Sequence, residues 1–178
     1  GHLRSLNLYG NDIGRGGPEG AIALAEVFAK MPNLTSVDLG YNALCGKDLY
    51  GRGTFTPAAV EKLCEVLPIT KISTLDLSNS GLTNNGKGMS AVIKLAEVLP
   101  STSITSLDLA VNDINAEAGT KLAEAFAQMP NLTSVALADN KINAEAGIKL
   151  AEAFKQMPNL TSVNVDGHPL PIDELRGT

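Results

Sequence analysis

The segment GLTNNGKGMS, Gly81 to Ser90, comes within one residue of a phosphate-binding loop. That motif is Gly, four residues, Gly-Lys and then Ser or Thr, placed between a strand and a helix so that backbone N–H groups cradle phosphates. Here the run STLDLS precedes the segment and SAVIKLAEVL follows it, so the flanks suit the motif. Gly88, however, stands where Ser or Thr would hold Mg²⁺. Other reactive groups are sparse. His2 and His168 are the two histidines and lie at opposite ends of the chain, which disfavours a histidine-based triad or a zinc site. Cys64 falls on an apolar helical face and reads as a small core residue. Cys45 opens a loop, where a thiol is free to react, although nothing near it in sequence favours that.

The elements that hold these residues are repeated. ITSLDLAVNDINAEAGTKLAEAFAQMPN from Ile104 is followed at Leu132 by LTSVALADNKINAEAGIKLAEAFKQMPN. The same frame starts at Leu3, Leu34 and Ile72, and a truncated copy starts at Leu160. Each full copy reads L-x-x-L-x-L-x-x-N-x-I/L and then a helical stretch ending near MPN or LP. With six starts, at 3, 34, 72, 104, 132 and 160, the pattern treats residues 1–178 as one domain of about five and a half repeats. It resembles the leucine-rich repeat in its long, ribonuclease-inhibitor-like variety, similar to the repeats of nucleotide-binding innate immune receptors and of Ran GTPase-activating protein. The resemblance implies an α/β solenoid, with a curved parallel sheet inside and α-helices outside.

The residue pattern leads to the same architecture. Leu6 and Leu8 alternate with Ser5, Asn7 and Tyr9, the period of a half-buried strand. Ala21, Leu24, Ala25, Val27 and Phe28 form one helical face. Thr56-Pro57, Asn115 and Asn143 are helix-start signals, with Glu117 and Glu145 near the positive helix ends. One strand and one helix cannot close a core, whereas stacked copies can. Helices need about 10 Å of lateral room and strands about 4.8 Å, so the stack should curve with the sheet inside. Asn11, Asn42, Asn112 and Asn140 share one position, suited to satisfying backbone groups inside the turn. Ser80 and His168 interrupt that series.

Position in the frame also assigns the surface. Ser5, Ser36, Thr74, Ser106, Ser134 and Ser162 make one concave row, and Asn7, Asp38, Asp76, Asp108, Ala136 and Asn164 the next. A third holds Tyr9, Gly40, Ser78, Ala110, Ala138 and Asp166. Three aspartates about 4.8 Å apart should attract a cation or a basic protein patch. Asp139 and the aromatics Tyr9 and Tyr41 complete the candidate concave site. The face alone offers about 500 Å², below the roughly 800 Å² a partner covers. Extra length supplies more. From the consensus Ile or Leu to the helix Leu takes 8 steps in Ile114–Leu122 and Ile142–Leu150, but 11 in Ile13–Leu24, 19 in Leu44–Leu63 and 13 in Leu82–Leu95. The additions fall on one rim in adjacent repeats. That lip carries Arg15, Lys47, Asp48, Tyr50, Arg52, Phe55 and Lys87.

The predicted function is therefore non-catalytic protein binding through the concave face and the lip, with no cofactor or metal. The resemblance offers GTPase activation or immune sensing as an alternative, and the glycine loop a nucleotide-binding enzyme as a remote one. A net charge of −5 and a pI near 5.0 disfavour nucleic acid as partner. No apolar run is long enough to span a membrane. Two unpaired cysteines suit the cytoplasm, with delivery into a host cell left open. The three Asn-Leu-Thr sequons at Asn33, Asn131 and Asn159 arise from the repeat consensus itself. The first strand has no preceding cap and HPLPIDELRGT has no full helix, so the chain is expected to be an excerpt of a longer one.

Overall fold

A computed structural model describes residues 1–165; Asp166, His168 and the proline-containing end expected to finish the sheet lie outside the described residues. Among the described residues, six strands alternate with five α-helices. In chain order they are β1 (Ser5–Asn7), α1 (Glu19–Phe28), β2 (Ser36–Asp38), α2 (Ala58–Val66), β3 (Thr74–Asp76) and α3 (Ser90–Val98). Then come β4 (Ser106–Asp108), α4 (Ala116–Phe126), β5 (Ser134–Ala136), α5 (Ala144–Lys155) and β6 (Ser162–Asn164). The strands form one parallel sheet in the order β1-β2-β3-β4-β5-β6, and each helix packs on the next. This is the α/β leucine-rich repeat solenoid that the pattern predicts.

The strands are only three residues long, so most of each repeat is turn. What holds them is the buried row on either side. Val37, Leu75, Leu107 and Val135 point into the core from mid-strand, and Leu39, Leu77, Leu109 and Leu137 follow two residues on. Leu44, Leu82, Ile114 and Ile142 close the far side of the turn. Helices contribute Phe28, Phe126 and Phe154, the last two with ring centroids 6.1 Å apart.

Asparagine ties the turns together. Each Asn42, Asn112 and Asn140 amide nitrogen donates to carbonyls of its own turn and of the preceding repeat. Its oxygen accepts two amides from the preceding repeat, as Asn140 Oδ1 does from Asn112 and Ile114, both at 3.0 Å. Ser80 breaks the series only in part. Its hydroxyl still reaches Leu39 O at 3.1 Å, replacing the donor half of the asparagine. The ladder continues past the strands through Gly10 N to Gly40 O, Tyr41 N to Ser78 O and Asn79 N to Ala110 O.

Helix starts follow two designs. Asn115 and Asn143 cap α4 and α5 by accepting the amides of Ala118 and Ala146. At α2 the helix begins at Ala58, a residue later than a capping threonine with proline at the first helical position would place it. Pro57 already has helical dihedrals, and Thr56 Oγ1 accepts Ala58 N–H at 3.3 Å.

Candidate functional site: the acidic row and the rim cavity

The aspartate row is in register. Asn7 pairs with Asp38, Asp38 with Asp76, Asp76 with Asp108 and Asp108 with Ala136. Each of these acidic side chains also has a local duty that the pattern did not reveal. Asp38, Asp76 and Asp108 accept, through Oδ1, the amide two residues on at 2.8–2.9 Å, and Asn7 does the same for Tyr9. The row thus terminates strands as well as facing outward. Burial, then the charges of Asp76 and Asp38, push the Asp108 carboxyl above its ordinary range against the hydrogen bond from Ala110. The like-charge crowding of the row is therefore felt at Asp108. Among the described residues, no three acidic, histidine or cysteine side chains converge on a metal-sized site.

Beside the row, aromatic rings gather. Tyr9 and Tyr41 stack with centroids 5.9 Å apart and planes 24° off parallel. Gly40 makes the room: a Cβ there would lie 3.0 Å from the Tyr9 ring and 2.9 Å from Ser78 Oγ. Gly40, expected on an exposed third row, is buried with Tyr9 lying over it, and Ala138 of the same row is also buried. Asp139 takes the turn position of Tyr41 in β5's repeat. Both have left-handed backbone, φ 55° and 57°, and both are exposed.

The long connections, residues 8–18, 39–57 and 77–89 against 109–115 and 137–143, stand on one rim. They touch one another. A Cβ on Gly14 would collide with the Ala43 carbonyl, and one on Gly51 would lie 3.4 Å from Asn85 Oδ1. Between the first two connections and Asn79 of the third lies a half-open cavity of about 150 Å³. Arg15, Lys47 and Arg52 line it with Asp12 and Asp48; Tyr41, Leu49 and Tyr50 supply its apolar wall. Asp48 organises the loop: Oδ1 accepts the amides of Tyr50 and Arg52, each at 2.9 Å, and Oδ2 accepts Arg52 Nε at 2.7 Å. Partial desolvation raises its pKa, but these bonds and the Arg52 charge hold the carboxyl below its usual value. The Arg52 guanidinium lies 5.1 Å from the Tyr50 ring centre, a cation–π contact. Tyr50 remains 74% exposed.

The structure brings Arg15, Lys47 and Arg52 together but not the whole expected lip. Phe55 is half-buried and packs against the hydrophobic core. Lys87 is exposed in the third connection and is not among the cavity's lining residues. The glycine loop around it is closed on itself. Gly86 N donates to Thr83 Oγ1, Lys87 N to Asn84 O and Gly88 N to Thr83 O, so amides that a phosphate cradle would direct outward are engaged within the loop. Leu82 is fully buried, and α3 starts only at Ser90. Cys45, expected at an accessible loop start, is instead buried, and burial with Glu61 and Cys64 pushes its thiol up to about 12. Cys64 lies in the core as expected, likewise pushed up to about 12, by burial first.

The comparisons agree on the architecture. The family described as Leucine Rich repeat matches residues 2–25, 101–123 and 128–151. No curated protein matches the chain. Among solved structures, it is similar to the actin-binding site 2 of leiomodin-1, at 16% identity and a TM-score of 0.66, covering 88% of this chain and 81% of that one. A tropomodulin C-terminal domain of Caenorhabditis elegans gives 14% identity and a TM-score of 0.61 over 83% and 81%. The leucine-rich repeat-containing protein LegL7 from Legionella pneumophila gives 24% and 0.55 over 92% of this chain and 48% of its own. At such identities the likeness is one of fold.

Proposed function

Because the chain is a leucine-rich repeat protein, we propose that it is a non-catalytic interaction module that binds a protein partner through its concave sheet and the rim lip of repeats one to three. The observation that carries this reading is the junction of two opposite surfaces. Tyr9, Tyr41 and Tyr50 are exposed where the acidic row meets the cation-lined cavity. Exposed tyrosines on a rigid frame are the usual anchors of a protein interface. Opposite charges on either side of them fix the orientation of whatever docks. A basic patch on the partner would face Asp38, Asp76 and Asp108. The lip adds the area that the sheet alone lacks. Two buried free thiols suit a reducing compartment such as the cytoplasm. Leiomodin-1's matched segment is named for actin binding, but a likeness at 16% identity does not bring actin to this chain. GTPase activation or immune sensing rests on the resemblance of the repeats and on no residue of this site.

The test is quantitative capture from cell extract by the immobilised chain, beside two variants. One carries Tyr50→Ala with Arg52→Ala, the other Asp76→Asn with Asp108→Asn. The reading predicts a captured protein whose affinity falls by about tenfold or more in both variants. A captured set indifferent to both variants would remove it.

A further inference from the structure

We infer that the rim cavity is the receptor for a single acidic side chain of the partner, a glutamate carried on an extended segment, with Lys47 as its counter-ion. This rests on the protein-binding reading above and names the chemistry that reading leaves open. The cavity has three cations against two carboxylates, in a chain whose net charge is −5. Both carboxylates are already engaged. Asp48 spends its oxygens on two amides and on Arg52, and Asp12 pairs with Arg15 at 3.4 Å. Among the described residues Lys47 has no ion-pair partner. Its backbone is fixed, with its carbonyl so close to the next repeat that a Cβ on Gly81 would come within 2.5 Å of it. Lys47 is thus an uncompensated charge among the residues lining a concave site, anchored at its backbone, and suited to recognising one carboxylate.

The rest of the wall selects the carrier. Tyr41, Leu49 and Tyr50 give the methylene stem of a glutamate an apolar surface to lie on, which a free anion would not use. A phosphate calls for several converging donors, and here Arg52 Nε is taken by Asp48 Oδ2 and its guanidinium lies over the Tyr50 ring. An extended segment with glutamate in the cavity would run from there across the stacked Tyr9–Tyr41 pair onto the acidic row, where the same segment would need a lysine or arginine.

The experiment uses the intact chain and amide NMR titration with capped pentapeptides, alanine throughout except for a central glutamate, glutamine or lysine, and separately with acetate and inorganic phosphate. The glutamate peptide should shift the amides of residues 46–52 saturably, at least about tenfold more tightly than the glutamine peptide. Lys47→Met should abolish that preference while leaving the spectrum's dispersion intact, and Lys47→Arg should keep it. Equal response to glutamate and glutamine, or a preference that survives Lys47→Met, overturns the assignment. So does acetate or phosphate matching the glutamate peptide, which would mean adventitious anion binding only. The two readings fail separately. Lip variants that leave all captured proteins bound remove the interface but not a glutamate-selective cavity. A captured partner together with glutamine-equal shifts removes only the cavity's assignment.

Discussion

Asn42 reaches back across the repeat boundary to Leu8, its Nδ2 donating to the Leu8 carbonyl at 2.8 Å while its Oδ1 accepts the amide of Asn11 at 2.9 Å. One fully buried side chain thereby satisfies backbone groups of two repeats. Asn42→Ala leaves the Asn11 and Ile13 amides without their acceptor, while the Leu8, Leu39 and Gly40 carbonyls keep Asn11 Nδ2, Ser80 Oγ and Gly10 N, so unfolding in denaturant should show a loss of about 1–3 kcal/mol. Asn42→Ser should cost less, because Ser80 in the next repeat already shows a hydroxyl reaching a carbonyl of the preceding turn.

Asp108→Asn should stabilise the fold at neutral pH. The native Asp108 carboxyl has a raised pKa, caused by burial first and then by Asp76 and Asp38, so the folded chain holds that proton to higher pH than the unfolded chain does. Its contribution to stability therefore falls as pH rises from the ordinary value of 3.8 through the raised one, and stays lost above it. Asparagine keeps the bond to Ala110 N, as Asn7 does to Tyr9 N, without the charge. Thermal unfolding should put the variant above the parent at neutral pH, with the gap closing below pH 3.8. A gap that stays constant through this range would contradict the electrostatic account.

How much of this was legible depended on repetition. The register of Asn7, Asp38, Asp76 and Asp108 could be read because six copies fix the same phase, and a Leu or Val packed on the core in each copy forbids a slip by one residue. The asparagine ladder was legible for the same reason. The connections have no second copy. Their course is set by single events, such as Asp48 gathering Tyr50 and Arg52, or the successive left-handed residues Asn84, Asn85 and Gly86. Hence Phe55 could be placed on the lip but not seen to turn into the core, and Lys87 grouped with cations whose cavity it does not line. The local bonds of the aspartates were in principle visible, since an Asp two residues before a turn amide is a recurrent strand end.

The two cysteines should be inert in the folded chain. Both thiols are raised from 9.0 to about 12, so at mildly alkaline pH the thiolate is on the order of 10³-fold scarcer than in an open chain. A disulfide reagent should therefore label neither cysteine on the timescale in which it labels both after denaturation. Rapid labelling of Cys45 in the native protein would show that the second connection opens far more readily than its packing implies.

Gly46 should be the weak point of the lip. Its φ is 85°, and a Cβ there would collide with the Thr54 carbonyl; Gly53, at φ 107°, faces the Gly46 carbonyl in the same way. The two arms of the insertion meet at these glycines and are laced by Thr56 N to Cys45 O and Asp48 N to Arg52 O. Gly46→Ala adds a steric clash to the strain of a left-handed alanine, so it should cost about 2–3 kcal/mol. Gly53→Ala should cost about as much, and the pair less than the sum, since both break one closure. Gly16→Ala is the control: φ is 96° but nothing lies within 4 Å, so only the backbone strain of about 1 kcal/mol applies. Denaturant unfolding ranks the three. Cys45 labelling then places the damage, because Cys45 is buried next to Gly46 and tied by its carbonyl to Thr56 N, so it should become reactive in Gly46→Ala and stay silent in Gly16→Ala.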